Sequence, residues 1–100
     1  MTLRVTTRRV ASWQHPLNMF YVYVLKSQKQ DWKYIGSCAD LKKRFLEHNM
    51  GKVKSTQARR PYNLVYYEAY NSKTAALKRE IELKRNSSKK EELFKRLFEK

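Results

Sequence analysis

The chain has 100 residues, with 23 Lys and Arg against nine Asp and Glu for a formal net charge of +14; 41% of the residues are hydrophobic and 13% aromatic. This length supplies one domain with one core, the aromatic share argues against a disordered basic tail, no apolar stretch reaches the roughly 18–20 residues of a membrane span, and one Cys with two His excludes a disulfide framework and a structural zinc site. A charge far above the magnitude of about 2–8 that solubility needs points to a polyanion partner.

Residues 1–18 carry Arg4, Arg8 and Arg9, no acid and no clear periodicity. Their composition resembles an organellar transit peptide, but they lack a secretory h-region. Met19 directly precedes the first strong strand, so 1–18 is expected to be a flexible extension, with His15 given no role. The domain is expected to be 19–100, in the cytoplasm. The positive excess is spread as +3 over 1–18, +6 over 19–70 and +5 over 71–100, among Tyr, Phe and Leu. It therefore belongs to a folded surface.

Phe20–Lys26 is aromatic and β-branched and predicts a strand. Phe20, Val22 and Val24 fall on one face and Tyr21, Tyr23 and Leu25 on the other, so the strand should be central and covered on both sides. Ser27–Trp32 reads as a polar connection. Lys33–Ser37 predicts a second strand in a hairpin with the first, ended by Gly36 where the backbone bends or is closely approached. Asp40 is an N-cap for a helix over Leu41–Asn49. Leu41 and Phe45 form its apolar stripe, with Arg44 and His48 as i, i+4 neighbours at the edge. Met50–Pro61 is a polar loop carrying Lys52, Lys54, Arg59 and Arg60, candidates for phosphate contacts. Tyr62–Tyr70 predicts a third strand.

A helix follows over Lys73–Arg85, with Ala76, Leu77, Ile81 and Leu83 as its apolar arc. Ser88-Lys89-Lys90-Glu91 matches a capping box for a last helix bearing Leu93, Phe94, Leu97 and Phe98. The order β-β-α-β-α-α predicts an α+β fold, a small three-stranded antiparallel sheet flanked by helices.

Glu80 and Lys84 fall inside the apolar arc of their helix. A Glu–Lys pair at i, i+4 is an ordinary surface pair, but setting it among apolar residues costs desolvation and suggests function. Of the nine acids, only Glu80 is expected to look inward. Scattered acids exclude a two-metal nuclease, which clusters carboxylates around its ions. Walker, HExxH and GxSxG motifs are absent. Cys38 near a helix start lacks a base and acid around it, which argues against a catalytic cysteine.

Tyr21-Val22-Tyr23, ten residues, then Tyr34-Ile35-Gly36 resembles the two halves of the GIY-YIG nuclease motif. Leu41 through His48 looks like the family's first-helix Arg with a His one turn later. Arg60-Pro61 before Leu64-Val65-Tyr66 looks like its third strand, and Ala76 through Lys84 like the helix bearing its metal-binding Glu. The resemblance covers about residues 19–85. It is to small standalone members, similar to the nuclease domain of the excinuclease C subunit and of GIY-YIG homing endonucleases.

The resemblance implies an endonuclease that uses one Mg²⁺ or Mn²⁺ to hydrolyse phosphodiester bonds, most directly in DNA, in repair or recombination. It implies Glu80 as metal ligand. Tyr34, with Tyr23, would activate or orient water. Arg44 would hold the phosphate, and His48 would move a proton or contact phosphate. Lys84 joins this set from its place beside Glu80. Tyr21 stands where the family has Gly, and no separate targeting domain fits in 100 residues, so target choice is expected to come from the domain's own surface or from a protein partner. These departures keep open a non-catalytic nucleic-acid-binding module.

Overall fold

A computed structural model describes residues 19–99; the predicted extension 1–18 and His15 lie outside the described residues. Two strands, β1 (Phe20–Ser27) and β2 (Lys33–Cys38), precede helix α1 (Leu41–Asn49); after a short 3₁₀ turn at Gln57–Arg59 come β3 (Tyr62–Tyr70), α2 (Lys73–Arg85) and α3 (Ser87–Phe98). The sheet is antiparallel in the order β2-β1-β3, so β1 is central as its two apolar faces require. The fold is α+β in the order β-β-α-β-α-α.

Each face of β1 seeds its own core. Val22 and Val24 pack with Ile35, Ala76, Leu83 and Leu93 beneath α2 and α3. Tyr23 and Leu25 pack with Tyr62 on the opposite face, where α1 adds Leu41 and Phe45. Leu25 opposes Leu64 after a bulge between Val24 and Leu25. Leu83 is fully buried; truncating such a leucine to alanine costs about 2–5 kcal/mol.

The caps explain where the helices begin. Asp40 accepts from the Lys43 amide and Ser72 from the Ala75 amide. The third helix departs from the predicted capping box. Asn86 accepts from the Lys89 amide and is both the end of α2 and the cap of α3, so the helix starts at Ser87, one residue before the Ser88 expected to cap it.

Two further readings are corrected by packing. Gly36 does not end β2, which runs on to Cys38. It pairs with Tyr23 across the ladder, and a Cβ there would lie 2.6 Å from the Tyr23 hydroxyl oxygen and 2.9 Å from Tyr34 Cε2. The close approach of two tyrosine rings demands the missing side chain. In α2, Ala76 and Leu83 are buried but Leu77 and Ile81 are 41% and 49% exposed. The sheet takes the face centred on Ala76 and Leu83, so Glu80 and Lys84 lie along its margin.

Candidate active site

The predicted residues come from four elements gathered around β2, the edge strand. Register sends Tyr34 and Gly36 to the face of Tyr23 and Leu25, and Ser37 to the face of Val22. One short edge strand therefore touches both halves of the site.

On the α1 face, the Tyr23 hydroxyl lies 2.8 Å from His48 Nε2, and His48 Nδ1 lies 2.7 Å from Thr56 Oγ1. The Thr56 hydroxyl donates to the Val53 carbonyl, so its oxygen is left to accept from Nδ1–H. Nε2 is then the acceptor for the Tyr23 O–H. The Tyr62 hydroxyl donates to the Thr56 carbonyl at 2.7 Å and holds the loop in place. Tyr23 is 1% exposed and His48 and Thr56 are fully buried, so His48 is a core residue rather than the edge residue its helix position suggests.

Burial sets the charge state here. It pushes the His48 imidazole down to about 4, with the Arg44 cation acting in the same direction, so the ring is neutral near pH 7. Burial also raises the Tyr23 phenol, while the neighbouring Arg44 guanidinium pulls it back toward ionisation. Arg44 is partly exposed and binds Glu47 at 3.1 Å. Tyr34 packs its ring centroid 5.1 Å from that of His48 and 6.2 Å from that of Trp32. Burial lifts the Cys38 thiol to about 11, which keeps it protonated and agrees with its exclusion as a nucleophile.

On the α2 side, Ser37 Oγ donates to Glu80 Oε1 at 2.5 Å and Lys84 Nζ donates to Oε2 at 2.7 Å. The Lys84 ammonium also lies 5.6 Å from the Tyr34 ring centroid. A chain of contacts thus runs from Glu80 through Lys84, Tyr34, His48 and Tyr23 to Arg44. Arg79, the residue before Glu80, fastens α2. It binds Glu68 through Nε and Nη2, both at 2.9 Å, and Glu82 through Nη1 at 2.8 Å. Glu68 also accepts from Tyr66 and Tyr70. Its burial would raise the carboxyl, but Arg79 and the two hydroxyls hold it below its ordinary value. Glu68 corrects the expectation of a single inward acid, since its side chain is 16% exposed against 17% for Glu80. The two differ in partners: Glu68 is saturated by Arg79 and two tyrosine hydroxyls, whereas Glu80 is held by one serine hydroxyl and one flexible lysine.

The other basic candidates stand apart from this centre. Lys52 and Lys54 are exposed. Arg59 stacks on Trp32 with its guanidinium carbon 4.4 Å from the ring centroid, and Arg60 donates to the Gln57 carbonyl. Two nearer cations were missed: Lys33 and Lys90 join Lys84 in lining a cleft of about 220 Å³ beside Tyr34, together with Ile35 and Phe94. A signal for Lys90 existed, because the first turn of α3 holds no acid where the helix dipole favours one. Ser37 and Thr56 carried none, since their partners are distant in sequence and set by the fold.

The donors can be tested against a divalent ion. Among the described residues no group of three or more His, Cys, Asp or Glu is gathered to hold one. Mg²⁺ keeps several waters and needs only one or two carboxylates plus substrate phosphate oxygens. Glu80, already paired with a cation and backed by a hydroxyl, fits that role.

The profile of the GIY-YIG catalytic domain matches residues 19–93. The chain therefore belongs to the GIY-YIG catalytic domain family. It is also similar to several UPF0213 proteins. One, from Staphylococcus saprophyticus, is 41% identical over 75 residues, covering 74% of this chain and 90% of the relative. The UPF0213 protein YazA of Bacillus subtilis is 38% identical over 78 residues, covering 77% and 78%. A solution structure of a UPF0213 protein from Bacillus halodurans, 34% identical, matches 80% of this chain and 85% of its own with a TM-score of 0.49. No helix among the described residues is long and apolar enough to cross a membrane.

Proposed function

We propose that the protein is a divalent-metal-dependent endonuclease that hydrolyses phosphodiester bonds in DNA, with branched, damaged or single-stranded DNA as its targets. The observation that carries this reading is the unbroken run of contacts from Glu80 to Arg44 around one edge strand. It brings a carboxylate, a lysine, two tyrosines, a neutral histidine and an arginine into one wall.

In hydrolysis the water oxygen bonds to phosphorus, the bond to the leaving oxygen breaks, and the water proton must be carried away. Arg44 offers its planar donors to the phosphate oxygens and to the charge that develops on them. Tyr34 positions the water. Tyr23 already directs its proton at His48 Nε2, so it can take a proton from water as it passes its own to the imidazole. Thr56 keeps that imidazole in the accepting tautomer. Lys84, released from Glu80, turns its ammonium to a phosphate oxygen. Mg²⁺ or Mn²⁺ held at Glu80 would supply Lewis-acid polarisation of a phosphate oxygen.

Lys33, Lys84 and Lys90, with Lys52, Lys54, Arg59 and Arg60 further out, supply the electrostatic attraction to flanking phosphates. A targeting partner would add selectivity. The closed Glu80–Lys84 pair favours a second reading, a nucleic-acid-binding module without catalysis. Cleavage of single-stranded, duplex and branched DNA and RNA, with Mg²⁺ and with Mn²⁺, decides between them. The nuclease reading expects metal-dependent cuts that fall at least about 100-fold in Glu80→Ala. Salt-sensitive binding with no cleavage above that variant on any substrate would establish the binder instead.

A further inference from the structure

The face of the sheet that carries Tyr23 is only partly roofed. Leu41 and Phe45 of α1 pack against the cluster of Tyr23, Leu25 and Tyr62 on this face. Near the start of β1 two further tyrosines stand together. Tyr67 pairs with Tyr23 across β1 and β3, and Tyr21 pairs with Ala69 on one side and Cys38 on the other. The Tyr21 and Tyr67 rings pack edge to face, with centroids 5.9 Å apart and planes at 72°. Tyr67 is nevertheless 54% exposed.

A large ring left in water needs a reason that packing does not supply. The neighbouring ladder positions Ala69 and Cys38 are small, and among the described residues the ring stays more than half exposed. The edge-to-face contact holds it, which lowers the conformational cost of stacking something on it. Its position is also specific. Tyr67 lies directly opposite Tyr23, whose hydroxyl stands beside the Arg44 guanidinium. Tyr21 is two residues from Tyr23 on the same face, a displacement of roughly 6.5 Å along the strand. Tyr21 is also the residue that departs from the glycine of the resembling motif.

We propose that Tyr21 and Tyr67 form a stacking platform for one unpaired nucleobase, set beside the phosphate-holding Arg44. The proposal rests on the nuclease reading and narrows its substrate to nucleic acid with an unstacked base at the cut: a single strand, a frayed junction or a flipped nucleotide. A nucleic acid matches this surface because the cations of a +14 chain draw the backbone, while the rings accept the flat face that every base presents. A base inside an intact duplex is stacked on its neighbours and cannot reach the platform without being extruded.

The test uses the full chain without metal, so that binding is read without cleavage. A labelled single strand of about eight nucleotides is compared at fixed salt with the same strand made abasic at its central positions, by fluorescence anisotropy. Wild type should bind the base-bearing strand about 5- to 30-fold more tightly. Tyr67→Ala should bring that ratio close to one while leaving the affinity for the abasic strand unchanged. Tyr67→Phe should keep the wild-type ratio, because it retains the ring and loses only the hydroxyl.

Equal affinity of wild type for the two strands would overturn the platform and leave the nuclease reading intact. So would an equal weakening of both strands by Tyr67→Ala, or a Tyr67→Phe that behaves like Tyr67→Ala. A concentration-dependent dimer in sedimentation that Tyr67→Ala abolishes would assign the patch to self-association and overturn it too. Absence of binding to either strand would overturn the platform and the nuclease reading together.

Discussion

Tyr23, His48 and Thr56 are at most 1% exposed, and each lies within 2.8 Å of the next. Across the β2 strand, Lys84 of the Glu80 pair leaves 45% of its side chain in water. Both regions belong to one candidate site, yet they are built differently. The first is dry, neutral and fixed, as a group that must hand on a proton along one line should be. The second is charged and adjustable, as a carboxylate that must change cations should be. The difference predicts where the protein is brittle: perturbing the α1 face should cost stability, and perturbing the α2 margin should cost little.

The largest effect expected from this contrast is on stability against pH. The unfolded His48 takes up a proton near 6.5, whereas burial delays that to about 4 in the fold. Between these values only the unfolded chain binds the proton, so falling pH destabilises the protein, by up to about 3 kcal/mol across the window, with no further loss below it. Glu68 acts further into acid. Its carboxyl is held below the ordinary value, so its contribution is present above that value and is lost only at lower pH. Denaturant unfolding at pH 7 and pH 5 measures the histidine share, expected to be about 2 kcal/mol. His48→Gln should flatten the dependence between these two points, and an unchanged slope in that variant would remove His48 as its source.

A smaller, sharper comparison uses adjacent residues of one strand. A methyl at Gly36 meets the Tyr23 hydroxyl and the Tyr34 ring, so Gly36→Ala should destabilise by about 1–3 kcal/mol and move Tyr23 off His48. Misplacement on the scale of an ångström costs roughly 100-fold in rate, and cleavage should fall accordingly. Ser37→Ala removes the hydroxyl on Glu80 from the neighbouring position. The carboxylate there is still reached by Lys84 and by water, so unfolding should change by less than about 1 kcal/mol. Equal losses in the two variants would show that the two faces do not differ as described.

What could be read from the chain follows the same division. The strands and helices were legible because burial imposes a period. Phe20, Val22 and Val24 alternate with Tyr21, Tyr23 and Leu25, and β1 indeed seeds a core on each face. The GIY-YIG resemblance was legible because Tyr34, Gly36, Arg44 and Glu80 keep a fixed order. The hydrogen-bond partners were not. Thr56 lies in a loop with no period, and Ser37 is 43 residues from Glu80. The arc of α2 misled because Leu77 and Ile81 are apolar but exposed; hydrophobicity alone cannot tell which side of a helix the sheet will take. The α3 cap was misplaced because Asn86 and Ser88 are both competent caps, and only the close junction of α2 with α3 selects the first.

The smallest expected effect on stability is at the α2 margin itself. A half-exposed Glu–Lys pair at i, i+4 contributes only about 0.3–0.5 kcal/mol, so Lys84→Met should leave the unfolding free energy within about 0.5 kcal/mol of wild type. Its effect should fall on cation binding. The ammonium sits 2.7 Å from Glu80 Oε2, where it neutralises the carboxylate that an incoming ion requires. Without it, the midpoint of a Mn²⁺ titration followed by electron paramagnetic resonance should move to lower concentration. Lys84→Arg keeps the competing charge and should leave the midpoint near that of wild type, while Glu80→Gln should abolish specific binding in either background. A midpoint in Lys84→Met that stays put or rises would mean that Lys84 does not compete for the carboxylate. The adjustable half of the site would then be as fixed as the half built around His48.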